Sequence, residues 1–416
     1  MRIVALTFGT EGDTRPLVAL CRGLLDAGHD VLLLGERSGQ MHADALRVPF
    51  VALAGDMAAE LRSAPGVLQH GDEFKHVARA LAAIAARHTA EWMRETLAQA
   101  KDADAIVCAG LAIYVGLSCA ECLRIPAIGA GLQPMMPTRA FASPFLPPGR
   151  LPGFVNRVSH RLVLAMMWRA FRKAINDARR DVAHQAPRRG EWNDYPILFA
   201  ISPTLVPRPP DWPARGSVTG HWWSPPDPHF VPDAGLAAFL AGGEAPVYVG
   251  FGSMAGFDRD RLLAAVLNAL DGRRALLHAG WSGFGEGRLP GHVYRIGHVP
   301  HAWLFPRMGI VVHHGGSGTT HAAARAGVPS VVVPFAADQF FWAERLHGIG
   351  IAPEGLAYRD VTPSRLRERL TKAREHVMRE RALEVGRSIA AERGVANAVA
   401  RMDALLSPRR ETEASA

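Results

Sequence analysis

Short apolar runs alternate with helical patterns through most of this 416-residue chain. Apolar runs of this length, bounded by glycine, proline or charged residues, are typical of buried strands. The pattern predicts strands over residues 2–8, 30–34, 104–108, 126–130, 197–201, 246–251, 274–279, 309–313 and 329–333. Apolar strands that alternate with helices predict parallel sheets whose two faces are both covered by helices.

The intervening segments have apolar residues at helical spacing. They predict helices over residues 16–27, 76–100, 156–182, 258–270 and 318–326, and a helical, Arg- and Glu-rich tail over 362–406. Gly28 and Gly327 follow two of these helices, where a residue in the left-handed conformation commonly ends a helix.

The alternation breaks once, in a proline-rich stretch over residues 207–233. Proline lacks the donor that helix interiors and central strands require, so this stretch predicts a connection between domains. We predict an α/β protein with two Rossmann-like, doubly wound domains over residues 1–222 and 241–416, joined by a linker over 223–240. Ligands of such sheets lie beyond the carboxyl ends of the strands, so the two domains should enclose a cleft.

Composition narrows the classes of function. Hydrophobic residues make up 48% and charged residues 21%, as in a globular protein with a substantial core. The net charge of +8 suggests anionic partners, but no Lys/Arg block alternates with aromatic residues, so nucleic acid is not expected. Four cysteines do not form a disulfide framework. We see neither a signal peptide nor a membrane-spanning segment, and expect a cytoplasmic protein.

A glycine-rich turn between a predicted strand and a predicted helix is the most informative motif. It runs His313-His-Gly-Gly-Ser-Gly-Thr-Thr320. Glycine lets the backbone approach a ligand closely, and the free N–H groups at the start of the following helix attract phosphate. His314, Thr319 and Thr320 add side-chain donors. A purely structural turn stays open as the alternative, and a metal site is disfavoured because adjacent strand residues point to opposite faces.

Two polar residues follow the next predicted strand. Asp338 and Gln339 would open a helix, and a carboxylate beside an amide can form paired hydrogen bonds to sugar hydroxyls. An N-cap role for Asp338 is equally compatible with its position.

A single carboxylate lies beyond the first predicted strand. Asp13 follows a turn that contains Gly9 and Gly12, and it precedes Pro16, which suits the first turn of a helix. A hydroxyl is a poor nucleophile until a base takes its proton, and Asp13 could do so if burial raises its pKa. The alternative is that Asp13 caps the helix.

The first domain also carries an apolar, proline-rich loop. Met135, Met136, Phe141 and Phe145 could line a pocket for an apolar acceptor, or pack in the core. The helix over residues 156–182, which contains Trp168, is basic on one side and apolar on the other. It is either a contact surface for an anionic membrane or, more commonly, an ordinary surface helix.

Together these motifs resemble the family 1 glycosyltransferases. The resemblance rests on residues 298–306, 313–320 and 334–339 and on Tyr248-Val-Gly-Phe-Gly-Ser-Met254, and it spans nearly the whole chain. The sterol glucosyltransferases and the bacterial enzymes that glycosylate antibiotic aglycones are the most similar members. The resemblance implies a GT-B fold, inversion at the anomeric carbon, no required metal or other cofactor, and a nucleotide diphosphate sugar as co-substrate.

The resemblance also implies roles for individual residues. His314 would contact the α-phosphate, and Gly316, Gly318 and Thr319 would hold the diphosphate. Asp338 and Gln339 would bind the sugar hydroxyls. Ser253 would face the phosphates, Val299 would hold the base through its backbone, and His298 would lie beside the base.

This chain departs from the plant members of the family at three places. They often carry Trp at the position of His298 and Glu at the position of Ala322, so the sequence does not decide between UDP and TDP. They have a His-x-x-Pro pattern where this chain has Asp13-Thr-Arg-Pro16. The bacterial and sterol-type members resemble this chain there, and in them the aspartate is the expected base.

We therefore expect an inverting glycosyltransferase that moves a hexose from a UDP- or TDP-linked donor to a hydroxyl of a lipophilic small molecule. The main alternative is a catalytically silent protein that binds a nucleotide sugar and assists a partner transferase. A dinucleotide-dependent oxidoreductase would need Gly-x-Gly-x-x-Gly after the first strand, which is missing. An epimerase would need paired carboxylates that the sequence does not reveal. The sequence does not indicate the oligomeric state.

Overall fold

The computed structural model describes residues 1–56, 59–60, 73–146, 149, 151–224, 230–252, 254, 257–280, 283–285 and 287–407, with the backbone alone for 73–81. Its first domain is built on a seven-stranded parallel sheet in the order β3-β2-β1-β4-β5-β6-β7. The strands are β1 (Arg2–Phe8), β2 (Asp30–Glu36), β3 (Phe50–Leu53), β4 (Ala105–Gly110), β5 (Ala127–Gly131), β6 (Ile197–Phe199) and β7 (Gly216–Val218).

Helices cover both faces of this sheet, as the apolar strands require. They are α1 (Glu11–Asp26), α2 (Gln40–Ala45), α3 (Glu73–Gln99), α4 (Ile113–Leu123) and α5 (Gly153–Asp181). Side chains of β1 alternate between two cores: Val4 and Leu6 join one, and Ile3 and Ala5 join the other. All four are fully buried, which explains why this strand is apolar throughout.

The second domain has a five-stranded parallel sheet in the order β10-β9-β8-β11-β12. Its strands are β8 (Val247–Gly250), β9 (Ala275–His278), β10 (Val293–Ile296), β11 (Ile310–His313) and β12 (Ser330–Val332). Its helices are α6 (Ala234–Ala241), α7 (Arg259–Leu270), α8 (His301–Leu304), α9 (Ser317–Arg325), α10 (Gln339–Gly348), α11 (Pro363–Ala373) and α12 (His376–Ala390). The predicted α/β architecture with two parallel sheets is confirmed.

The last helix, α13 (Gly394–Leu406), returns to the first domain. Ala398, Val399 and Met402 are buried in the core beneath α1. Asp403 Oδ1 lies 3.0 Å from His29 Nε2. The predicted assignment of residues 241–416 to the second domain did not anticipate this crossing.

The linker region also differs from the prediction. Strand β7 lies inside the proline-rich stretch and completes the first sheet. Helix α6 begins within the predicted linker over residues 223–240, and its Leu236 is buried in a core of the second domain. None of the helices in the described ranges is both long enough and apolar enough to cross a membrane.

Candidate active site

The carboxyl ends of the two sheets face each other across a cleft of about 2740 Å³. Asp13 lies in its wall on the first-domain side, and His314 and Asp338 lie in its wall on the second-domain side. The sequence placed these three groups after different strands, and the fold brings them to one cavity. Ser253, the other predicted phosphate contact, lies outside the described residues.

Asp13 occupies the first turn of α1 and forms a capping box with Thr10. The Thr10 amide donates to Asp13 Oδ2 over 2.7 Å, and the Thr10 hydroxyl donates to the same oxygen over 3.1 Å. No described residue donates to Oδ1. Helix α1 begins at Glu11, five residues before Pro16, so the predicted helix start was wrong. Asp13 is the third residue of the helix, and Thr10 is the N-cap.

Desolvation at the cavity wall raises the pKa of Asp13 above its ordinary value, and the two hydrogen bonds from Thr10 oppose that shift. Gly9 is required here, because a Cβ on Gly9 would collide with the Asp13 carboxylate. One carboxylate oxygen is therefore held by the helix cap, while the other is available to a ligand in the cleft.

The glycine-rich turn connects β11 to α9, as predicted. Gly315 has φ of +93°, a conformation that favours glycine, and Gly316 is the N-cap of α9. A Cβ on Gly316 would meet the His314 ring, whereas one on Gly318 would meet no protein atom within 4 Å. Gly316, Gly318 and Thr319 line the cleft, so the free N–H groups at the start of α9 point into it.

His314 is buried beside this helix start, and desolvation lowers its pKa to about 4. The ring is therefore neutral at pH 7, and its Nδ1 has no hydrogen-bond partner among the described residues. A buried nitrogen without a partner is costly unless a ligand supplies one. Thr320, proposed as a further donor, is fully buried and does not line the cleft.

Asp338 and Gln339 lie at the start of α10, as predicted, but their side chains form hydrogen bonds with different partners. Burial, with a smaller contribution from the charge of Asp13, raises the pKa of Asp338 to about 6. Trp342 Nε1 donates to Asp338 Oδ2 over 3.0 Å. Gln339 Oε1 accepts from the amides of Phe335 and Ala336 over 2.7 and 3.1 Å, so this oxygen is occupied by the protein backbone.

The predicted base-binding residues lie where the two domains meet. His298 and Val299 line the cleft. Arg15, in the first domain, lies 2.8 Å from His298 Nε2 and donates to Glu11 over 2.6 Å. Arginine can only donate, so His298 accepts at Nε2. The pKa of Glu11 is lowered to about 2, and the largest cause is its hydrogen bond with His42.

Three of the four predicted acceptor residues line the cleft: Met135, Met136 and Phe145. Phe141 does not. Its ring packs against those of His160 and Phe341, with centroids 5.8 and 5.3 Å apart, so the structure does not bring it into the predicted pocket. The loop carries several apolar side chains, and only the fold decides which of them face inward.

Several residues of the cleft carry no motif that sequence reasoning could have used. Tyr114, Phe171, Trp192 and Tyr195 line its first-domain side, and they come from three separate segments. Arg15 was also missed, although its spacing of four from Glu11 on a helix indicates an ion pair.

Comparison with known proteins extends these observations. Residues 263–405 match the model of the erythromycin biosynthesis protein CIII-like C-terminal domain. A sterol 3-beta-glucosyltransferase of Arabidopsis thaliana is 30% identical over 96% of this chain and 64% of that protein. A sterol 3-beta-glucosyltransferase of Eremothecium gossypii is 33% identical over 95% of this chain and 33% of that protein. The chain thus spans less than two thirds of these relatives.

Solved structures share the whole fold at low sequence identity. A glycosyltransferase of kitacinnamycin superposes with a TM-score of 0.71 at 20% identity, over 97% of this chain and 99% of that one. The glycosyltransferase VinC in complex with dTDP superposes with a TM-score of 0.66 at 18% identity, over 98% and 99%. The chain therefore shares the fold of these glycosyltransferase structures, and in sequence it is similar to the sterol 3-beta-glucosyltransferases and, over residues 263–405, to the erythromycin biosynthesis protein CIII-like domain.

Proposed function

We propose that the protein is an inverting glycosyltransferase, which moves a hexose from a UDP- or TDP-linked donor to a hydroxyl of a lipophilic small molecule such as a sterol or a polyketide. One observation carries the proposal: the Asp13 carboxylate and the helix start beside His314 line a single cleft from opposite domains. The first can accept a proton, and the second can hold a departing diphosphate.

The proposed reaction needs three coordinated changes. Asp13 Oδ1 takes the proton from the acceptor hydroxyl as its oxygen attacks the anomeric carbon. The bond from that carbon to the β-phosphate oxygen breaks on the opposite face, so the configuration inverts. The nucleoside diphosphate leaves with the electron pair, and the N–H groups of Gly318 and Thr319 stabilise its added charge together with neutral His314.

The acceptor part of the proposal is supported by the lining of the first-domain side. Met135, Met136, Phe145 and Phe171 present apolar surface there, and pockets for small molecules are mostly apolar with a few polar groups. The names of the curated relatives support a sterol-like acceptor. The match to the erythromycin biosynthesis protein CIII-like domain supports an antibiotic aglycone as the other class of acceptor. Independence from metal and a cytoplasmic location stay predictions.

A product assay tests the proposal directly. The protein is incubated with UDP-glucose or TDP-glucose and a panel of sterol, polyketide and phenolic alcohols, and products are sought by mass. We expect a mass increase of one hexose on a lipophilic alcohol. Binding of nucleotide sugar without transfer to any acceptor would instead support the silent helper of a partner transferase.

A further inference from the structure

Helix α5 carries a row of exposed apolar side chains. Phe154, Val158, Leu162 and Met166 are 67, 56, 55 and 40% exposed. They are spaced by four residues, so they lie along one face of the helix over about 18 Å. Single exposed apolar residues are ordinary on a protein surface, whereas a contiguous apolar row indicates a contact site. We call these four residues the α5 apolar row.

Positively charged side chains lie within and after this row along α5. Residues 154–173 contain five Arg and Lys residues and no carboxylate. Arg161, Arg169 and Arg172 are exposed, and none of them forms an ion pair with a described side chain. Lys173 is paired with Asp177 over 2.7 Å. The surface is therefore apolar near the start of the helix and basic further along, which complements an anionic, apolar partner.

The inner side of the same helix lines the cleft. Leu164, Met167 and Phe171 face its first-domain part. Arg161 and Met166 belong to both surfaces, because each is exposed and also lines the cleft. The α5 apolar row therefore runs up to an opening of the cavity that we assign to the acceptor. Trp168, by contrast, packs inside against Tyr114 and Trp192 and takes no part in the outer surface.

We propose that this face of α5 rests on an anionic phospholipid bilayer. The α5 apolar row enters the boundary between headgroups and acyl chains, and Arg161, Arg169 and Arg172 contact the anionic headgroups. A lipophilic acceptor dissolved in that bilayer then reaches the cleft beside Met166 without crossing water. This route for the acceptor rests on the proposed glycosyl transfer, whereas the attachment to the bilayer does not.

Vesicle sedimentation of the full chain tests the attachment. Vesicles of phosphatidylcholine alone are compared with vesicles that also contain phosphatidylglycerol. We expect binding to the anionic vesicles that weakens as salt is raised, since salt screens the arginine charges. Two double variants, Val158→Ser with Leu162→Ser and Arg169→Glu with Arg172→Glu, should each reduce the partition coefficient at least about tenfold. None of these four residues lines the cleft.

Matched controls come from α12, in the second domain. Val377→Ser removes an apolar side chain that is 78% exposed, and Arg379→Glu with Arg387→Glu changes the charge by the same amount as the α5 arginine variant. These variants should bind vesicles about as well as the unmodified protein does. Thermal unfolding of every variant checks that the α5 substitutions leave the fold intact.

A transfer assay separates attachment from chemistry. With an acceptor embedded in anionic vesicles, the α5 variants should lose at least about tenfold in rate, and with the same acceptor in detergent they should match the unmodified protein. Equal vesicle binding by α5 and control variants would overturn the proposal. So would a change of sedimentation coefficient for the α5 variants without vesicles, because it would assign the face to self-association. Absence of product in both formats, with vesicle binding intact, would count against the proposed function alone.

Discussion

Asp13 shows how one carboxylate can serve a helix and a ligand at once. The sequence leaves two alternative roles for Asp13, a helix cap and a catalytic base. In the structure, Asp13 Oδ2 accepts both hydrogen bonds from Thr10, and Oδ1 accepts none from the described residues. The sequence could predict a polar group at this place. It could not predict the division between two oxygens, which depends on where α1 begins.

Asp338 should destabilise the folded protein at neutral pH. Its pKa in the folded state, about 6, exceeds the ordinary 3.8, so folding favours its protonated form. The stabilisation that the protonated carboxyl group gives the folded state is fully present below about pH 3.8 and is lost as the pH rises through about 6. Asp338→Asn should therefore raise the free energy of unfolding at about pH 7.5, by at most about 3 kcal/mol, and change it little below about pH 4.

Urea unfolding at the two pH values measures this difference. An asparagine oxygen can still accept from Trp342 Nε1, and the difference between the two pH values reports the charge, because changes in hydrogen bonding affect both measurements. Equal effects at both pH values would show that the carboxylate is not desolvated in the folded state. The same variant should weaken sugar transfer if Asp338 binds a sugar hydroxyl.

At the scale of elements, the central strands and the glycine-rich turn before α9 were predictable, whereas three of the four sheet edges were not. Strands β3, β7 and β10 were missed, and each lies at an edge of its sheet. Strands β7 and β10 contain polar residues, so their sequences lack the continuous apolar run of a buried strand, whereas β3 is apolar and was missed although its sequence carries that signal. The glycine-rich turn was predictable because its glycines and the following helix are local features of the chain.

The turn before α9 should bind the diphosphate without a positive charge on His314. The pKa of His314 is about 4, so the ring stays neutral from about pH 6 to about pH 8. We expect the affinity for UDP-glucose, measured by calorimetry, to be nearly constant over that range. A several-fold fall in affinity towards about pH 8 would mean that an imidazolium takes part in binding.

At the scale of the whole molecule, the two domains are joined more closely than a single linker would join them. Helix α13 packs on the first domain, and Glu392, just before it, accepts from the hydroxyls of Ser202 and Thr204 over 2.6 and 2.8 Å. His321, on α9, accepts from the Ser202 amide over 3.2 Å. These contacts join the two domains in addition to the linker.

Truncation of Met402 tests the crossing of α13. Met402 is fully buried beneath α1, although it belongs to the end of the chain. Met402→Ala should lower the free energy of unfolding by about 2 to 5 kcal/mol and speed hydrogen exchange in α1 and α13. Val377→Ala, at an exposed position of α12, is the control and should change stability by less than about 0.5 kcal/mol. A loss confined to the second domain would contradict the packing described.

The proposed acceptor pocket was the part of the site least accessible to sequence reasoning. Its aromatic lining comes from segments more than 80 residues apart, such as those of Tyr114 and Tyr195, which only the sheet topology brings together. Phe141 was assigned to it because of its neighbours in sequence, yet it packs towards His160. Catalytic groups at strand ends follow from topology, whereas the lining of a pocket follows from packing.

The most direct test of the account is the turnover of Asp13→Asn. Asparagine can still accept from Thr10, so the cap of α1 survives, but it cannot take a proton from an acceptor hydroxyl. We predict that kcat falls by about 10² to 10⁴ while the affinity for the nucleoside diphosphate stays nearly the same. Turnover of Asp13→Asn at the rate of the unmodified protein would contradict the assignment of Asp13 as the base.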